Sequence, residues 1–176
     1  MDIDQNYFEL FGLAAVFAVD EALLSERYRQ LQKEIHPDRF AGKGEREQRL
    51  AVQFTTYVNE AFQGLKSPLK RAEYLLLLAG VEVDPQNETT SDAVFLMEQM
   101  ELRETLGEVP ESSDPEAALE SMSTQVDKHL DELLVEFEHN FDAKQFDECK
   151  AVLSKLYFVK KLADEIEQLD AKLFDY

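Results

Sequence analysis

Glu34-Ile35-His36-Pro37-Asp38-Arg39-Phe40 separates one amphipathic run from the next and decides how the first half of the chain folds. Before it, Leu24, Tyr28, Leu31 and Ile35 recur at steps of four, three and four, so they line one helical face. Pro37 disfavours α geometry at His36, which stops that helix. Gly42 and Gly44 loosen the chain beyond. A second stripe follows: Leu50, Phe54, Tyr57 or Val58, Ala61 and Leu65. Facing one another, the stripes make an antiparallel helical hairpin with His36-Pro37-Asp38 at its solvent tip. A short polar loop on a rigid scaffold suits contact with a partner. Taken alone, the tripeptide also fits an ordinary Pro-Asp turn.

Outward from the hairpin, further helices are predicted. Tyr7, Phe8, Leu10, Phe11 and Leu13 form a short apolar segment, too short to be helical alone in water, which packs across the hairpin. Asp20 is placed to cap the helix through Ile35. On that helix Arg29 and Lys33 lie one turn apart, opposite the apolar stripe, as a docking face or a solvated one. Ser67-Pro68 opens another helix, which carries Leu69, Ala72, Leu75, Leu76 and Ala79 and ends at Gly80. Val81 to Glu88 mixes Pro, Asn and acids without helical period and marks a domain boundary. Three more helices are expected: about Ser91 to Leu106, one from Asp114-Pro115 through Phe141, and one from about Ala143 to Phe174. They suggest an antiparallel three-helix bundle. The expectation is an all-α chain with domain 1–80, linker 81–89 and domain 90–176.

Composition narrows the function classes. Of 176 residues 44% are apolar, which describes a globular protein. The net charge of −19 is uneven: residues 1–80 hold 10 Lys/Arg against 12 Asp/Glu, and 81–176 hold 8 against 25. The acidic second half repels nucleic-acid phosphates. Its charge fits either a distinct partner or mere solubility. No apolar run approaches a membrane span, and Asp2 and Asp4 without early Lys or Arg fit no leader peptide. The expectation is a cytoplasmic protein with no membrane partner. Cys149 is the only cysteine, which excludes a multi-cysteine metal site. Gly42-Lys43-Gly44 lacks phosphate-loop spacing. Glu136 and His139 form one Glu-x-x-His without the second that a di-metal bundle needs. His129, at a stripe edge, reads as packing. No catalytic residue, metal or cofactor is expected.

One helix has an apolar face too many. At about 100° per residue, Phe95, Leu102 and Leu106 cluster within about 40°, while Leu96, Met97 and Met100 lie about 100–200° from Phe95. Glu101, Glu104 and Glu108 flank the second set. A Leu/Met patch rimmed by carboxylates fits a partner surface, where burying each apolar side chain is worth about 1.5–3 kcal/mol. A broad stripe touching both neighbouring helices fits as well. Tyr157 and Phe158 fall off the third helix's stripe, so an aromatic either joins the patch or meets the other domain.

The motifs carry a family resemblance. His36-Pro37-Asp38 between two helices, with Asn59-Glu60-Ala61-Phe62-Gln63-Gly64-Leu65 late in the second, resembles the J-domain family. Arg71-Ala72-Glu73-Tyr74-Leu75-Leu76 and Phe95-Leu96-Met97-Glu98-Gln99, followed by Glu101-Leu102-Arg103-Glu104, make the whole chain similar to the HscB family of J-type co-chaperones of iron–sulfur cluster biogenesis. The resemblance implies that His36, Pro37 and Asp38, with nearby Arg29, Lys33 and Arg39, engage a DnaK-type ATPase, HscA. It implies that Leu96, Met97, Met100, Glu101, Glu104, Glu108 and Phe158 bind the cluster scaffold IscU. Met100 stands where Leu is typical, and Tyr157 where a basic residue can occur. The cysteine-bearing extension of eukaryotic relatives is missing, which gives the expectation of a bacterial protein. A general J-protein that presents unfolded polypeptides through the same patch stays open.

Overall fold

The computed structural model describes residues 5–40, 42–84 and 90–174. Residues 85–89 of the expected linker, and the acidic N-terminal residues 1–4, lie outside them. The chain divides into two compact units, Met1–Ala79 and Gly80–Tyr176. The regular structure of the described residues is helical, with no strand among them.

In the first unit, α1 (Tyr7–Leu10) is a single turn closed by a capping box. The Asn6 side chain accepts from the Glu9 amide at 3.0 Å, and the Glu9 carboxylate accepts from the Asn6 amide at 3.0 Å. α2 (Glu21–Ile35) starts at Asp20, whose carboxylate accepts from the Leu23 amide at 2.9 Å. α2 and α3 (Glu45–Lys66) pack together as the hairpin, and α4 (Pro68–Leu78) follows after Ser67, which ends one helix and caps the next. The core is aromatic and aliphatic: Phe8, Phe11, Leu24, Ile35, Phe54, Val58, Ala61, Leu65, Ala72, Leu75 and Leu76 are all buried.

Two details explain how so short an α1 stays in place. Tyr7 stacks on Tyr74 of α4 with centroids 4.1 Å apart, and the Tyr74 hydroxyl accepts from the Tyr7 amide at 3.0 Å. The Tyr7 ring also lies against Gly64 of α3, where a Cβ would come within 3.1 Å of it. Glycine is needed there for close approach rather than for turning. Tertiary contacts thus supply what a four-residue helix cannot.

One expected core position is corrected. Leu50 is 47% exposed, and Ala51 is buried in its place. Buried Ala51, Phe54, Val58, Ala61 and Leu65 recur at steps of three, four, three and four, which leaves Leu50 at the edge of the stripe.

In the second unit, α5 (Ala93–Glu108) leads through a 3-10 turn (Val109–Glu111) to a long pair, α6 (Pro115–Asp142) and α7 (Phe146–Phe174). Asp114 caps α6 by accepting from the Ala117 amide at 3.1 Å, with Pro115 in the first turn. α6 and α7 pack along their length, joined by a tight turn with Lys144 at φ 57°. α7 therefore begins at Phe146, not near Ala143, because Ala143 and Lys144 turn the chain. Buried Leu119, Met122, Val126, Leu133 and Phe137 meet Val152, Leu153, Leu156, Val159, Leu162 and Ile166.

Candidate functional site

The tip of the hairpin is a formed turn. Pro37–Arg39 make one 3-10 turn, in which the Arg39 amide donates to the His36 carbonyl at 2.9 Å. The Asp38 amide lies 3.3 Å from His36 Nδ1 and the Asp38 carboxylate 3.5 Å from it. The neutral imidazole accepts from the amide, and the imidazolium donates to the carboxylate. Arg39 reaches back and donates to the Lys33 carbonyl at 3.3 Å, satisfying an end carbonyl of α2. The side chains of His36 and Asp38 are 60% and 89% exposed. Arg29, Lys33 and Arg39 are exposed as well. The exposed His36 and Asp38 side chains present charge and shape to solvent.

The hairpin beneath is tied by the residues of the late-α3 motif. The Tyr28 hydroxyl of α2 donates to the Asn59 side chain at 2.9 Å, and its ring stacks on Phe62 at 4.0 Å. Asn59 and Phe62 thus fix the register of α2 on α3, and with it the position of the turn.

On the second unit, α5 turns Phe95, Gln99 and Leu106 inward. Met97 and Met100 are 62% and 63% exposed, Leu96 is half-buried, and Glu101, Glu104 and Glu108 are exposed. Phe158 of α7 is half-buried and meets Phe95, the neighbour of Leu96, edge to face at 6.1 Å. The residues singled out in the sequence therefore occupy one helix face and the edge of an adjoining helix. Tyr157 is half-buried.

Three features here carry no strong sequence signal. Gln99 is 2% exposed, and neither side-chain polar atom has a hydrogen-bond partner among the described residues. Asp92 caps α5 through one carboxylate oxygen, which accepts from Phe95 N at 3.1 Å, while the other pairs with Lys155 of α7 at 2.7 Å. That ammonium and the cap hold the Asp92 carboxyl below its ordinary range. Arg103 bridges from α5 to Glu165 at 3.1 Å and to the Phe158 carbonyl at 3.4 Å, both on α7. Opposite charges spaced across two helices are invisible until the helices are placed together.

No group of three or more His, Cys, Asp or Glu side chains suited to a metal ion occurs among the described residues. His129 packs edge to face on Phe95 at 6.0 Å, and Cys149 is buried. Among the described residues no helix is long and apolar enough to cross a membrane.

A tied helical hairpin with a His-Pro-Asp turn that exposes its His and Asp side chains, joined to a separate helical unit, defines a J-type co-chaperone, a class that acts on other proteins without catalysis of its own. The comparisons make the assignment narrower. The HSCB C-terminal oligomerisation domain matches residues 91–167. A co-chaperone protein HscB homolog of Vibrio vulnificus is 46% identical over 96% of this chain and 99% of its own length. The chaperone HscB from Vibrio cholerae superposes with a TM-score of 0.88 at 43% identity, covering 97% of this chain and 100% of that one. Human co-chaperone protein HscB gives a TM-score of 0.90 at 31% identity, over 98% and 85% of the two chains. The chain belongs to the HscB co-chaperone family.

Proposed function

We propose that this co-chaperone stimulates the ATPase of the DnaK-type chaperone HscA and delivers the scaffold IscU to it during iron–sulfur cluster maturation, in the bacterial cytoplasm. The observation that carries the reading is the pairing, on one chain, of a turn that exposes His36 and Asp38 with a Leu96/Met97/Met100 face whose two methionines are exposed, on a second unit. A protein that is not an enzyme speeds its partner's turnover by binding one state of it better than another. Asp38 offers a charge-assisted bond to a partner cation, with Arg29, Lys33 and Arg39 steering the approach. On the second unit, Leu96, Met97, Met100 and Phe158 supply apolar contact, and Glu101, Glu104 and Glu108 supply a negative rim that selects a basic surround on the scaffold.

The test is steady-state ATPase stimulation of HscA with and without IscU. His36→Gln abolishes stimulation with helical content unchanged. Leu96→Ala with Met97→Ala keeps basal stimulation but weakens IscU binding in calorimetry. Unchanged affinity in the double variant removes the scaffold assignment. Preferential capture of a denatured protein over folded IscU replaces it with general presentation of unfolded chains.

A further inference from the structure

α5 has two apolar faces. Phe95, Leu102 and Leu106 lie on one, and Leu96, Met97 and Met100 on the other. Burial of apolar surface is non-directional and does not by itself separate the two faces, although Glu104, which falls between Met100 and Met97 on the wheel, makes burying the Leu/Met face costly. The face turned inward even carries a handicap, because Gln99 is buried there with its amide unpartnered among the described residues. Something else sets the roll of the helix.

The polar anchors supply it. At the start of α5, Asp92 pairs with Lys155 at 2.7 Å, and the Lys155 ammonium sits 5.5 Å from the Phe95 ring centroid. Two to three turns on, Arg103 reaches Glu165 at 3.1 Å and the Phe158 carbonyl at 3.4 Å, while also donating to the Gln99 carbonyl of its own helix at 3.2 Å. The guanidinium is two-thirds shielded and its fork makes contacts in several directions, a geometry a rolled helix loses. Polar groups of this kind specify one arrangement among apolar alternatives.

We propose that Arg103 is a positioning residue: its bridge to Glu165 and the Phe158 carbonyl fixes the roll of α5 that keeps Leu96, Met97 and Met100 outward. The consequence for a partner rests on the reading of that patch given above, but the roll itself does not. Arg103→Gln therefore lets the Leu/Met face compete for α7, and Arg103→Lys, which keeps a cationic donor opposite Glu165, holds the original roll in part.

The full chain carrying Met97→Cys reports the roll with no partner present, through alkylation by iodoacetamide at pH 8. Cys149 is buried and serves as the silent reference. Adding Arg103→Gln lowers the labelling rate of the introduced thiol about tenfold, as expected if the inward-rolled state becomes the major one. Arg103→Lys returns part of the rate, and circular dichroism shows unchanged helix content. An unchanged rate overturns the proposal, and so does a faster rate shared with Cys149, which signals unfolding. Calorimetry with folded IscU on chains lacking the reporter separates the two readings. Affinity lost in Arg103→Gln with labelling unchanged means that Arg103 touches the partner directly, and the proposal fails. Slower labelling with full affinity upholds the roll and removes the patch from the scaffold interface.

Discussion

Arg71 shows how one side chain joins a whole unit. It is 4% exposed, and its guanidinium donates to the Leu65 carbonyl at 2.7 Å and the Phe17 carbonyl at 2.8 Å, with Glu21 at 3.5 Å. These bonds connect α4 to the end of α3, to the loop after α1 and to the start of α2. Arg71→Met retains bulk but strips two carbonyls of their donor. With about 1–3 kcal/mol lost for each group left unsatisfied, the first unit should lose on the order of 3 kcal/mol. Amide exchange then accelerates through α1–α4 and stays unchanged in α6 and α7. Uniform acceleration of both units would contradict the local account. At Cys149, burial pushes the thiol up to about 11, so the thiolate is a trace species at neutral pH. Alkylation of the native chain at pH 8 should be slower than that of the urea-unfolded chain by orders of magnitude, and equal rates would show the site to be open.

At the scale of elements, α5 is the piece whose docking depends on charge. The Asp92 carboxyl is lowered from an ordinary 3.8, first by its bond to Lys155 and then by the cap to Phe95. A carboxyl lowered in the folded state is stabilising above its unfolded value, and that contribution is lost as pH falls through 3.8 toward the lower folded value. Amide protection at the start of α5 should therefore weaken below that pH. Lys155→Met, which removes the largest cause of the shift, should move the loss to higher pH. Identical acid profiles would mean that the pair does not hold the helix.

Much of this architecture is legible in the sequence because local signals agree with tertiary ones. Asp20, Ser67-Pro68 and Asp114-Pro115 announce helix starts, and each makes its capping bond. Leu119 to Phe137 keeps an unbroken stripe because α7 accompanies α6 along its length. Legibility ends where the edge of a stripe can be read one residue either way, as at Leu50 and Ala51. It ends also where a polar residue takes a core place, as Gln99 does while Leu102 is only half-buried. At the candidate site, periodicity isolates the exposed Leu/Met face. The Arg103 and Lys155 anchors escape notice because their partners lie 55 or more residues away.

At the scale of the molecule, charge and surface divide the labour. The first 80 residues are nearly neutral and carry the exposed turn with its basic neighbours, whereas residues 81–176 hold 25 of the 37 acidic side chains and the Leu/Met patch. Holding both surfaces on one chain turns the second encounter into an intramolecular one. Tethering two contacts on one chain can raise the effective concentration to about millimolar, with gains of about 10²–10⁴ over either contact alone. A strict consequence follows for complementation. On the function proposed above, a chain with His36→Gln should still bind IscU, and a chain with Leu96→Ala and Met97→Ala should still engage HscA. Mixing the two supplies every contact but breaks the tether. At sub-micromolar chains, the mixture should show the basal stimulation expected of the patch variant and none of the IscU-dependent enhancement expected of one intact chain. Raising IscU toward millimolar should recover enhancement as free scaffold reaches the ATPase unaided. Full enhancement in the dilute mixture would mean that the two surfaces act independently and that their joining on one chain is incidental.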